Sequence, residues 1–243
     1  ADLADRGLAP ASQARKISAL RRFFRFLFEE GDRKDDPTAR LDGPSPTRDV
    51  PDVLSREEMR RLIDACDGDL RLTCLVELLY GAGLRASELV SLTLGSLPRR
   101  KGTRWVTQDI IIRGKGGKER LCPLGAPALA SLSAWLAERQ GKDDRARAED
   151  FVFPSRGASG HLTRRRLGQL LESLAMQAGL DPARVHPHAL RHAYATHLLQ
   201  GGADLRSVQT LLGHADIATT QIYTHVLTDE LQELLETAHP MAG

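Results

Sequence analysis

Cysteine is scarce in this chain of 243 residues: Cys66, Cys74 and Cys122 stand far apart, in no paired spacing. Neither a disulfide framework nor a cysteine-rich zinc site is supported, and a reducing, cytoplasmic setting is expected. No apolar run approaches the roughly 20 residues of a membrane span, and no signal-peptide pattern opens the chain, so membrane insertion is not expected. The chain opens Ala1-Asp2-Leu3 without methionine, which suggests that the natural start has been lost. His188 and His192 have the i, i+4 spacing of a zinc-binding helix, yet no Glu, Asp or Cys lies near them to complete a tetrahedral site. No metal and no cofactor is expected.

A charge excess is also missing from the whole, since the formal net charge is only +2. Its distribution says more. Between Gly95 and Arg120 there are eight Lys or Arg against two acids, and Arg164-Arg165-Arg166 adds a second basic spot. The segment after Val226 holds four acids and no Lys or Arg. A basic middle with an acidic end fits a polyanion-binding surface. The residues expected on such a polyanion-binding surface are Arg99, Arg100, Lys101, Arg113, Lys118, Arg120, Arg164 and Arg165. Taken alone, the charge asymmetry is better read as solvated charged faces.

Apolar residues make up 41% of the chain, ample for a real core. Residues 12–30 read as an amphipathic helix with Ile17, Leu20, Phe24, Leu27 and Phe28 on one face. That face needs partners. A polar stretch with Pro37, Pro44, Pro46 and Pro51 has linker composition. The expected organisation is a partial N-terminal helical domain over 1–31, a linker over 32–54 and a larger domain over 55–243. Ser55-Arg56-Glu57-Glu58 forms a capping box that opens the second domain. A buried helix should follow from Asp69 to Tyr80, ending at Gly81-Ala82-Gly83, with a new helix carrying Leu84 to Leu89. Arg85 then stands near a helix N-terminus after a tight glycine turn, where it could hold an anion, and Glu88 could orient it. An Arg and Glu at this spacing are, taken alone, more often a surface ion pair.

Residues 105–123 read as a β-hairpin with Lys115 at its tip. Its Gly-Lys-Gly-Gly-Lys sequence lacks the glycine spacing of a phosphate-binding loop, and Lys118 is followed by Glu119 rather than Ser or Thr. Helices are expected from Pro127 to Arg139 and from a Thr163 cap to about Gly179, with a short buried segment at Phe151 to Pro154. The densest chemistry lies in residues 186–225, which hold six of the eight histidines. Leu190, Ala193, Tyr194 and Leu198 recur at helical spacing after Pro187. Asp204 caps a second helix that Gly213 ends, and a third should carry Tyr223. His188 and Arg191 share the first turn of their helix and can reach one small anion. His192 and His197 read as packed or exposed helix residues, and a lone tyrosine such as Tyr223 is most often half-buried core.

Together these residues carry a resemblance. His188-x-x-Arg191, Leu212-Gly213-His214 and Thr219-Thr220-Gln221-Ile222-Tyr223-Thr224-His225, with Gly83-Leu84-Arg85-Ala86-Ser87-Glu88-Leu89 upstream, resemble the tyrosine recombinase (integrase) family and its Xer-type members. The basic hairpin resembles the family's lysine hairpin. The resemblance implies six catalytic positions: Arg85, Lys115, His188, Arg191, His214 and the nucleophile Tyr223, with Glu88 in support. It implies a mainly α fold with a small antiparallel β hairpin, in which a truncated helical DNA-binding domain precedes a mixed α/β catalytic domain. It further implies a tetramer, homomeric or with a related recombinase, on paired sites in chromosome dimer resolution. A septal DNA translocase as activator and an interaction helix near 228–238 are also implied. The stretch Pro98 to Trp105 departs from the family by being longer and more basic.

The residue types suit the chemistry. Two guanidiniums can clamp the non-bridging oxygens of a phosphodiester, whose transition state gathers further negative charge. A tyrosine can attack as phenolate only where cations favour its ionised form. Lys115 is the expected general acid for the departing 5′ oxygen. Because the phosphotyrosyl bond keeps the reaction's energy, religation needs neither ATP nor metal. Two other readings remain open on sequence: a non-catalytic DNA-binding relative, and a type IB topoisomerase-like nicking and resealing enzyme.

Overall fold

A computed structural model of the chain describes residues 7–41, 53–101, 104–113, 119–140, 150–213 and Ala238. The chain divides into two compact units, Ala1–Pro51 and Asp52–Gly243. In the first, α1 (Pro10–Glu29) begins with proline at its N-terminus, where the missing N–H costs nothing. Its expected apolar face is half-buried at Ile17, Phe24 and Leu27 but exposed at Leu20 and Phe28.

The second unit opens with α2 (Arg56–Asp64), and the Ser55 capping box forms with both reciprocal bonds. Glu58 does double duty, since Arg184 also donates to its carboxylate from 126 residues away. The apolar sequence of α3 (Leu70–Gly81), capped by Asp69, is buried from Cys74 to Gly81. It packs chiefly against α5 (Ala126–Gln140) and α7 (Pro187–Gln200). A helix apolar all round belongs in such a central place. Between α3 and α5 lie the short α4 (Ala86–Val90), the strands β1 (Arg100–Lys101) and β2 (Arg104–Trp105), and the hairpin β3 (Asp109–Arg113) with β4 (Glu119–Pro123).

Both strand pairs are antiparallel, and the basic stretch from Pro98 to Trp105 contains the β1–β2 pair. In the larger hairpin Ile110 faces Cys122 and Ile112 faces Arg120. Ile110, Ile112 and Cys122 are buried, whereas Ile111 and Leu121 point outward. Of the segment expected to be buried after the charged loop, Val152 and Phe153 are inaccessible, Phe151 is half-buried and Pro154 is exposed; Phe153 stacks on Trp135 with ring centroids 6.1 Å apart. Then come α6 (Arg164–Gln177), capped by Thr163, α7, and α8 (Leu205–Leu212), capped by Asp204. The fold class is the one expected, mainly helical with a small antiparallel hairpin. All three cysteines are free and buried. No described helix is long and apolar enough to cross a membrane.

Candidate active site

Arg85 is the N-cap of α4, set there by the turn at Gly83. Gly83 has φ +59°, and a Cβ at that position would lie 2.5 Å from the Tyr194 ring. Only glycine lets the chain turn there while α7 packs this close. The turn leaves the Arg85 side chain 43% exposed. Glu88, one turn on, accepts 2.9 Å bonds from both the Arg85 backbone N–H and its Nη1. The pair is not the surface ion pair that spacing alone favours, because the Glu88 side chain is only 5% exposed.

Arg191 reaches the same turn from α7. Leu190, Ala193, Tyr194 and Leu198 are all buried, which fixes the rotation of the helix and sends Arg191 inward. Its Nη1 donates to the Gly83 carbonyl and its Nη2 to the Leu212 carbonyl at 2.6 Å. One guanidinium therefore ties the Arg85 turn to the end of α8. Burial, and then the neighbouring Arg85 charge, pull the Arg191 pKa down to about 10, so it is still a cation at neutral pH. Among the described residues Arg85 and Arg191 have only the Glu88 carboxylate near them, and Arg120 shares it, so the cluster keeps positive charge to spare for an anion. His188 is exposed on the first turn of α7, three residues before Arg191. His186 caps the helix by accepting the Ala189 N–H at 3.1 Å, and its ring stacks on His188 with centroids 6.4 Å apart. Sequence reasoning missed that cap, although a polar residue directly before a helix-opening proline is its signal.

Gly213 ends α8 in the left-handed conformation, φ 64° and ψ 47°. A Cβ there would come within 2.6 Å of Arg120 Nε. Lys115, Lys118, His214 and Tyr223, and residues 228–237 of the helix expected near 228–238, lie outside the described residues; Ala238 is helical and buried against Gly201 of the same chain. Arg120 requires a correction. Expected at the DNA surface, its guanidinium turns inward and forks onto Glu88 at 2.9 and 3.1 Å. Strand alternation carried the signal, since residue 120 shares a face with buried Cys122. Burial alone would raise the Glu88 carboxyl, but the Arg120 fork and the Arg85 amide and guanidinium hold it below the ordinary value.

Of the other basic residues, Arg99 is exposed, and Arg100 and Lys101 form β1. Arg113 is exposed and pairs with Glu119 at 2.8 Å. Arg164 and Arg165 are exposed on the first turn of α6. Arg164 lines a groove of about 510 Å³ with Ser87, Val90, Ser91, Ser159, His161 and Thr163. His197 is a packed residue, 3% exposed, with its Nδ1 2.9 Å from the Tyr80 hydroxyl. His192 is exposed. Among the described residues no group of His, Cys, Asp or Glu could hold a metal ion.

The arrangement matches known proteins over nearly its whole length. Residues 52–230 match the phage integrase family. The chain is 51% identical over 246 residues to the tyrosine recombinase XerD of Caulobacter vibrioides, covering 99% of this chain and 79% of that protein. It is 49% identical over 244 residues to the tyrosine recombinase XerC of Erythrobacter litoralis, covering 97% and 75%. Among solved structures it resembles the XerH site-specific recombinase bound to a palindromic difH substrate in a post-cleavage complex. That likeness has a TM-score of 0.67 at 26% identity and covers 95% of this chain and 68% of that one. With two arginines meeting at the Gly83 turn beside the end of α8, and with these relatives, the chain belongs to the phage integrase family as a Xer-type tyrosine recombinase, a site-specific DNA recombinase.

Proposed function

We propose that this recombinase cleaves and rejoins double-stranded DNA with Tyr223 as nucleophile, leaving a 3′-phosphotyrosyl linkage and a free 5′ hydroxyl. Arg85 and Arg191 clamp the non-bridging oxygens, His188 and His214 donate or relay hydrogen bonds, Lys115 protonates the leaving oxygen, and Glu88 orients Arg85. The observation that carries this reading is Arg191 bound to the Gly83 carbonyl, two residues before Arg85, which brings both guanidiniums to one turn. Loss of either arginine should cost on the order of a hundred- to a thousandfold in cleavage rate.

Arg99, Arg100, Lys101, Arg113, Lys118, Arg164 and Arg165 would contact phosphates along the duplex, giving binding that weakens steeply with salt. The groove lined by Arg164 would take a stretch of the DNA backbone. We assign residues 1–31 to an N-terminal helical DNA-binding domain, 32–54 to a linker and 55–243 to the catalytic domain. Residues 228–238 would dock on a neighbouring protomer within a tetramer on paired sites. The biological reaction is chromosome dimer resolution in the cytoplasm, licensed by a septal DNA translocase.

The test is a nicked duplex carrying a site selected by half-site binding, incubated without metal or ATP beside Tyr223→Phe. A slow protein band that takes label from the 3′ side and vanishes in the variant supports the assignment. A native-gel shift with no covalent band, even with a partner recombinase and activator present, would sink it in favour of DNA binding alone. Efficient nicking and resealing with no strand exchange between paired sites would favour the topoisomerase-like reading.

A further inference from the structure

The Glu88 carboxylate is a junction of two arginines. Oε1 accepts from Arg85 Nη1 and Arg120 Nη1, and Oε2 accepts from the Arg85 backbone N–H and Arg120 Nη2. On its other side Arg120 lies against Gly213, so closely that a Cβ there would meet Nε at 2.6 Å and Cδ at 2.8 Å. The residue before Gly213, Leu212, supplies the carbonyl that holds Arg191 Nη2. A continuous path therefore runs from Arg85 through Glu88, Arg120 and the end of α8 to Arg191.

We propose that Arg120 is a positioning residue for the cleavage step. It sets the separation and aim of the Arg85 and Arg191 guanidiniums from behind, without touching DNA. The inference rests on the reading of those two arginines as the phosphate clamp. Both terminal nitrogens of Arg120 are spent on Glu88, its side chain is only 20% exposed, and its Nε is buried with no acceptor among the described residues. Little of it is left for a phosphate. Its planar fork fits a carboxylate in a way an ammonium cannot. Without it, Glu88 is free to turn and take Arg85 along, and Gly213 loses its floor.

The experiment compares Arg120→Met and Arg120→Lys with the wild type on two nicked substrates. One carries the ordinary scissile phosphodiester, the other a methylphosphonate, whose reacting group is neutral and leaves the clamp less charge to offset. Arg120→Met should bind a half-site within about threefold of wild type but form covalent complex about a hundredfold more slowly on the phosphodiester, the scale expected when a catalytic group is misplaced by about 1 Å. On the methylphosphonate the deficit should shrink to about fivefold or less, as removing the charge removes most of what the clamp stabilises. Arg120→Lys should fall between and keep the same pattern, which serves as the test if the Met variant fails to fold. An equal deficit on both substrates, or none on either, would overturn the proposal. Arg85→Ala run in parallel separates the two claims. If its deficit also persists on the methylphosphonate, the clamp reading fails; if only the Arg120 deficit persists, this inference fails alone.

Discussion

Glu77 and Glu88 sit in two regions of the same unit and are about equally buried, 5% and 8% exposed, yet their acidities move in opposite directions. Glu77 lies in the apolar heart of α3, and its Oε2 has no hydrogen-bond partner among the described residues. Burial alone pushes its carboxyl up to about 7. Glu88 lies beside the Gly83 turn, where the Arg120 fork and the amide and guanidinium of Arg85 hold it below the ordinary value despite burial. Depth is therefore not what decides the state of a buried acid. What decides it is whether cations are brought in with it.

The contrast is most directly broken by removing the Glu88 charge. Glu88→Gln leaves two partly buried guanidiniums without their counter-ion and should destabilise the protein by about 3–5 kcal/mol. It should also slow covalent complex formation by loosening Arg85. Because the native carboxyl is held below its ordinary 4.5, the stabilisation is present above that value and is lost as pH falls through the lowered one. The gap between wild type and Glu88→Gln in urea melts should thus be full at pH 7 and close in acid. A constant gap would mean that shape, not charge, is what the variant disturbs.

Glu77→Gln should act in the opposite sense. With a native carboxyl near 7 against an ordinary 4.5, stability falls as pH rises through that window and stays low above it. The variant should gain about 3 kcal/mol over wild type at pH 8.5 and little at pH 4, converting the displaced pKa at 1.36 kcal/mol per pH unit. Thermal melts at the two pH values check it. A variant less stable than wild type at pH 8.5 would show that the ionised carboxylate has a use in the core.

The smallest effect belongs to Glu119, the neighbour of Arg120 on β4. Its bond to Arg113 is 2.8 Å, as short as any at Glu88, but the two side chains are 50% and 78% exposed. Glu119→Ala should change stability by less than about 1 kcal/mol, and any change should fade in 0.5 M salt. A loss comparable to that of Glu88→Gln would contradict the comparison, because it would make distance rather than burial the measure of an ion pair.

Much of the fold was legible in the residues. Ser55, Asp69, Thr163 and Asp204 announce four helix starts, and each accepts the expected backbone bond. Gly213 announces a helix end and adopts the left-handed conformation that only glycine takes cheaply. The apolar spacing after Pro187 told which face of α7 would be buried. Less legible was Arg120, read as one more member of a basic segment. Its inward turn follows from strand alternation, but its partner does not, because Glu88 is 32 residues away. The same holds for Arg184 with Glu58 and for Arg56, which donates to the His197 carbonyl 141 residues away.

The sequence by itself determined the helices and their caps, the hairpin, the chemistry-bearing residue types and, through their spacing, the family. Those properties rest on interactions within a few residues, which periodicity and capping express directly. Only the tertiary structure decided that Arg85 and Arg191 meet at one turn, that Arg120 bonds to Glu88 rather than solvent, and that Glu77 is buried with no paired cation among the described residues. Each of these depends on which distant groups share a buried space of low dielectric constant. Arg191 meets the Gly83 carbonyl across 108 residues of chain, a separation over which local pattern carries no information.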